Sequence, residues 1–203
     1  MKVLPHTFLL VAFATIAAEA CGPAAGSTKT DCEGGAPHAN IDDTAGIFSI
    51  NGGPASGPNG VNTCVPVQAR AVPGINFDFA VDVNDSQAFV LPPYLVSASR
   101  LAGWYSTTQP YDAVSDAPTY GYNDSMPLLI APGSVFLIQS FQRTCTVLPS
   151  TTQHYIYSKF IIDSIHYYAY DGATAPAGQT VYYRMRNDPI CGYTSLAPGA
   201  PQH

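Results

Sequence analysis

The stretch Tyr155–Tyr170, YIYSKFIIDSIHYYAY, constrains this chain more than any other. It is the longest run that is both apolar and patterned, and the side chains of a strand change face at every residue. From Tyr155 to Ile162 the even positions Ile156, Phe160 and Ile162 carry the apolar bulk, with Ser158 between them, while Tyr157 and Lys159 look outward. After Asp163 the pattern changes sides. Ile165, Tyr167 and Ala169 form the apolar set, and Ser164, His166, Tyr168 and Tyr170 the wetter one. A one-residue change of phase in a continuous strand is the signature of a β-bulge, which is expected at Asp163–Ser164.

Asp171-Gly172 opens a loop that Pro176 and Gly178 close, and Thr180–Arg186 (TVYYRMR) reads as a returning strand. The expected register sets Tyr168 opposite Tyr182, Tyr167 opposite Tyr183, His166 opposite Arg184 and Ile165 opposite Met185. Tyr168, Tyr182, His166 and Arg184 then share the polar face.

Further strands are expected at Ile47–Ile50, Val65–Val72, Ile75–Val83, Ala88–Leu91, Tyr94–Ser99, Leu101–Tyr105, Leu128–Ile130 and Ser134–Phe141. The alternation is clearest in Ile75–Val83, and Ser134–Phe141 is the expected neighbour of the central stretch. Asn51–Asn62 is a glycine and proline loop, and Pro110–Pro118 reads as one helical turn or a compact loop. With 17 Gly, 18 Pro and 13 Tyr among 203 residues, the composition favours short strands joined by turns. The expected fold class is all-β: a single antiparallel β-sandwich or partly closed barrel with a disordered N-terminal tether.

Residues 1–20 read as a signal peptide. Lys2 is the positive end, Phe8–Ala18 the apolar core, and Ala18-Glu19-Ala20 the small-residue cleavage site. The core is too short for a membrane span. Cys21 follows directly, and two readings stand: it is the acylated first residue of a lipoprotein, or it is a free thiol left by ordinary cleavage. Residues 21–40 form the tether, 41–196 the β-domain and 197–203 a disordered tail. In an oxidising compartment Cys32, Cys64, Cys145 and Cys191 are expected to pair. Of the three possible connectivities, Cys32–Cys64 and Cys145–Cys191 join nearest neighbours, and no CxxC spacing favours zinc.

The net charge is −6, and Arg184 and Arg186 are the only basic near-neighbours, so a phosphate-tracking nucleic-acid surface is excluded. No catalytic residue, metal or cofactor is assigned. Ser164, His166 and Asp163 lie close in sequence but lack a nucleophile context. His154 and His166 stand too far apart on a straight strand to share a metal. Asp82, Asn84 and Asp85, or Asp42 and Asp43, could offer oxygen ligands to Ca²⁺, but the first set lacks the glycine and distal glutamate of an EF-hand loop and reads as a turn. The sequences Asn84-Asp85-Ser86 and Asn123-Asp124-Ser125 are turn chemistry first.

The aromatics carry more information. Trp104, Tyr105, Tyr120 and Tyr122 cluster mid-chain, and Tyr168, Tyr170 and Tyr182 line the polar face of the last hairpin. Such residues bury an apolar body and keep a polar tip, which suits recognition surfaces and the edges of small cores alike. The candidate ligand residues are Trp104, Tyr105, Tyr168, Tyr170, Tyr182 and His166.

The segments NGGPASGPNG (51–60), GWY (103–105), GSVFLIQS (133–140) and YSKFIIDSIHYY (157–168) resemble those of β-rich bacterial surface lipoproteins, and loosely those of the HmuY-like family. The resemblance implies a lipid anchor at Cys21 and, as in some members, haem binding, with no ligand residues carried over. The expected function is that of a non-catalytic envelope lipoprotein, in the outer membrane or periplasm or else secreted. It would bind an unknown ligand or envelope partner through its aromatic face. The alternatives are a haem- or metal-binding HmuY-like carrier and a secreted hydrolase.

Overall fold

The computed structural model describes residues 40–199 except 55–56, 64–66, 70, 73–74, 85, 98–101, 141–142, 145–152, 169–177 and 190–191, and the backbone alone of 67, 143–144 and 153–154. The leader, most of the tether, all five cysteines, Tyr170 and the side chain of His154 therefore lie outside the described residues.

In chain order the elements are β1 (Ile41–Phe48), β2 (Gly60–Asn62), β3 (Val67–Ala69), β4 (Phe79–Asn84), β5 (Gln87–Leu91), α1 (Pro93–Ser97), β6 (Gly103–Thr107), β7 (Leu128–Ile130), β8 (Val135–Gln139), β9 (Arg143–Thr144), β10 (Gln153–His154), β11 (Tyr157–Tyr168) and β12 (Gly178–Asp188). A single 3-10 turn, Tyr111–Ala113, lies between β6 and β7. One antiparallel sheet runs β1-β12-β11-β8-β6, the other β3-β2-β4-β5-β7, and β9 pairs with β10 apart from both. The two five-stranded sheets pack face to face without closing, so the fold is an all-β sandwich.

The central stretch is β11, flanked by β12 and by β8 as its pattern requires. The bulge falls where the parity changes, between Ile162 and Ser164. The hairpin register differs from expectation. Tyr168 pairs with Gly178, His166 with Thr180, Ile165 with Val181 and Ser164 with Tyr182, so Tyr168 meets a partner four residues earlier than expected. Gly178 makes this possible. A Cβ there would stand 2.8 Å from the Tyr168 ring and 2.6 Å from the Gly52 carbonyl oxygen. The ladder thus runs on to the glycine instead of stopping at Thr180. Because the slip is an even number of residues, Tyr168, Tyr182, His166 and Arg184 keep their common face.

Between the sheets, Phe136 and Phe160, paired across β8 and β11, stack at 5.2 Å with their planes 9° apart. Phe79 from the opposite sheet meets both edge-on, at 5.9 and 5.0 Å, and Tyr183 closes on Phe160 at 5.5 Å. Ile47, Val81, Val90, Ile138, Ile162, Val181 and Met185 fill the layer around them.

Three expectations are corrected. Of the strand expected at Tyr94–Ser99, the described part, Tyr94–Ser97, is helical: Pro93, with its φ preset, opens the short helix α1 after the Leu95 amide turns back onto the Pro92 carbonyl. Ile75 is exposed, because β4 begins only at Phe79. Tyr157 and Lys159 are buried instead of facing solvent. Residues 111–117 fold back over the outer face of the first sheet and bury Tyr157, Val135 and Leu137 beneath Tyr111, Val114, Ala117 and Leu196. That strap is itself paired to the end of the chain. The Ala117 amide donates to the Thr194 carbonyl, and the Leu196 amide to that of Ser115. In the tail, Asn40 binds the carbonyls of Ala197 through its side chain and of Gly199 through its amide.

Candidate ligand face on the outer side of the first sheet

The strap covers the β8–β6 half of the outer face and leaves the β1–β12 half open. Rows of side chains cross that open half in register. Asp42 stands beside Arg186, which neighbours Lys159. Thr44 stands beside Arg184, which neighbours Ile161. Gly46 stands beside Tyr182, which neighbours Ser164.

The boundary is set by Lys159, which is 1% exposed. Its ammonium donates to the Tyr111 carbonyl at 3.0 Å and to the Val114 carbonyl at 2.7 Å, and lies 4.7 Å from the centre of the Tyr111 ring. Burial, and after it the Arg186 guanidinium, lowers the Lys159 pKa below its ordinary value. Burial also pushes the Tyr111 phenol up to about 12. Next to them Arg186 holds Asp42 in a two-point pair, Nε to Oδ1 at 2.6 Å and Nη2 to Oδ2 at 2.8 Å. This bond raises the guanidinium pKa further.

Arg184 donates from Nε to both oxygens of Asp163, at 2.9 and 3.1 Å. Its guanidinium also lies 5.8 Å from the centre of the Tyr111 ring. The bulge sets this pair up, since it pushes Asp163 out of the ladder toward the Arg184 side chain. A cleft of 470 Å³ opens here, lined by Asp42, Asp43, Thr44, Tyr111, Asp112, Arg184, Met185 and Arg186.

Beyond Arg184, Tyr182 is 42% exposed. A Cβ on Gly46 would lie 2.8 Å from both Cδ1 and Cε1 of the Tyr182 ring, so one edge of the ring closes on the glycine of the neighbouring strand. His166 meets the same ring edge-on at 5.2 Å. Tyr168 repeats the arrangement on Gly178.

Of the residues singled out from sequence, His166, Tyr168 and Tyr182 come together on this face. Tyr105 is on the outer side too, but at β6, three strands from β12 or about 14 Å across the sheet. It lies beyond the strap in a tyrosine row, 5.8 Å from Tyr122, which is 6.0 Å from Tyr157. Trp104 points the other way. It packs against the core between the sheets, and its Nε1 donates to the Met126 carbonyl at 2.7 Å. Asp82 serves a turn, accepting from the Asn51 amide and side chain. Asn123 does likewise, its Oδ1 accepting from the Ser125 and Met126 amides. Among the described residues no group of three or more His, Cys, Asp or Glu side chains is placed to hold a metal ion.

Sequence reasoning missed Gly46, Tyr111 and Asp163 as parts of this surface. Gly46 carried a usable signal, a lone glycine inside a strand pattern, which marks a close approach. With β1 expected to begin at Ile47, that glycine fell outside it. No family model, curated protein or solved structure matches the chain.

Proposed function

We propose that this chain is a non-catalytic binding module of the cell envelope, exported behind residues 1–20 and either anchored through Cys21 or released. It receives its ligand on the open half of the first sheet. The observation that carries this reading is the Tyr182 ring, 42% exposed yet held between Gly46 on the neighbouring strand and the His166 ring. An aromatic plane held in one orientation loses little entropy when a ligand settles on it. Cys21 after an apolar leader supports the envelope location.

The test is a thermal-shift screen of the mature chain against chemically diverse small molecules: sugars, nucleosides, amino acids, dicarboxylates and haemin. At least one class is expected to raise Tm in the wild type but not in Tyr182→Ala. If every ligand that raises Tm does so equally in both proteins, the face is not the site. The HmuY-like alternative draws on His166 on the same face. It predicts a Soret shift with haemin that His166→Ala abolishes. Mass spectrometry of the mature N-terminus reads the anchor directly, since an unmodified Cys21 thiol removes it.

A further inference from the structure

We infer that the ligand of this face is a neutral oligosaccharide, with one sugar ring stacked on Tyr182 and the next reaching toward the cleft beside Tyr111. This rests on the binding role proposed above and names the chemical class of the ligand.

An aromatic face carries the negative lobe of the ring quadrupole. The ligand face that complements it is flat and edged with weakly positive C–H bonds, as one side of a pyranose is. Tyr182 is an exposed ring of this kind, and Gly46 at one edge together with the His166 ring limits how far it can turn away.

The surroundings are polar. Ser164, Thr180 and Thr44 share the face with Tyr182, all at least partly exposed. A flat apolar ligand would strip water from these hydroxyls without replacing their hydrogen bonds. A sugar replaces them, because each of its hydroxyls both donates and accepts.

Two residues along β12, about 7 Å away, stands the Arg184–Asp163 pair. Its side chains are 49% and 33% exposed. Nε is spent on the carboxylate, and the outer amino groups of the guanidinium remain as donors beside the carboxylate acceptor. A donor fork next to an acceptor fits two adjacent hydroxyls. The pair carries no net charge, so it has no preference for an ion.

The cleft that follows sets three carboxylates, Asp42, Asp43 and Asp112, against two guanidiniums, Arg184 and Arg186. Asp42 and Arg186 already neutralise one another. An acidic sugar would therefore enter among surplus carboxylates, and a neutral one would not be opposed. From Tyr182 to Arg186 the strand covers about 13 Å, more than a single ring spans, which points to an oligomer.

The experiment is saturation-transfer NMR and calorimetric titration of the mature chain. The probes are fragments of β-1,4-glucan, β-1,3-glucan, β-1,4-linked N-acetylglucosamine and α-1,6-mannan, each with its monosaccharide, and oligogalacturonate as the acidic control. At least one neutral oligosaccharide is expected to bind, more tightly than its monosaccharide. Tyr182→Ala is expected to weaken it about tenfold or more and Tyr182→Phe by less than about threefold, since the ring and not the hydroxyl makes the stack. Arg184→Met is expected to weaken it as well, and serves alone if Tyr182→Ala does not fold. Binding of the uronate alone, binding of no neutral fragment, or equal binding by wild type and these variants overturns the inference. If the thermal-shift screen still finds a Tyr182-dependent ligand of another class, the sugar assignment falls and the binding face stands. If it finds none, both fall.

Discussion

Lys159 donates from Nζ to the backbone carbonyl of Val114 at 2.7 Å, and thereby ties the start of β11 to a strap that lies 45 residues earlier in the chain. A lysine buried beneath a strap is costly unless its donors are used, and here two carbonyls and one ring face use them. The same contact decides how far the strap reaches over the sheet, and so where the open face with Tyr182 begins.

Replacing Lys159 by Met keeps much of the side-chain volume and removes the donor. The Tyr111 and Val114 carbonyls then lose a buried charged partner, a loss of about 1–3 kcal/mol. The strap should loosen before the sandwich does. In hydrogen exchange the amides of Ala117 and Leu196, which join the strap to the chain end, should lose protection. Those of β11 and β12 should keep theirs. Unchanged protection at Ala117 and Leu196 would show that packing alone holds the strap.

Alkaline pH should unfold the protein from about pH 10 upward. Burial raises the Tyr111 phenol to about 12 from its ordinary 10.0, and raises Tyr122, Tyr157 and Tyr183 as well. A raised folded pKa means that the unfolded chain gives up the proton first. The stability from these groups is complete below pH 10 and is lost as pH climbs through the folded values. Lys159 has the opposite sign. Burial lowers its pKa from 10.5, so between the lowered value and 10.5 the native state holds less proton than the unfolded chain, and stability rises with pH. Urea denaturation from pH 7 to 12 should show a fall above about pH 10, and Lys159→Met should remove the rise on its acid side. A flat profile to pH 12 would contradict the burial of these phenols.

Phe160→Ala should cost about 3–5 kcal/mol, because Phe160 is fully buried and meets Phe79, Phe136 and Tyr183 at 5.0, 5.2 and 5.5 Å. For a domain of ordinary stability, about 5–15 kcal/mol, that is a large fraction of the whole. Tyr167→Ala, an exposed residue at the other end of the same strand, should stay within about 0.5 kcal/mol. Chemical denaturation of the two variants side by side checks the contrast, and similar losses in both would mean that the core is not centred where the phenylalanines stack.

The sequence by itself determined the all-β class, the central strand and its bulge. These follow from local rules: the period of two in side-chain direction, and the parity change at Asp163 that a continuous strand can absorb only by bulging. It also determined that His166, Tyr168, Tyr182 and Arg184 share a face, because any even slip in register leaves that grouping intact. The tertiary structure alone decided the slip itself, since Gly178 accepts the Tyr168 ring and extends the ladder. It alone decided that the face is divided, because nothing near Lys159 in sequence announces a strap arriving from residues 111–117. Alternation tells which residues lie on opposite sides of a sheet. Whether the far side meets water or another part of the chain depends on contacts between residues distant in sequence, and no local pattern records them.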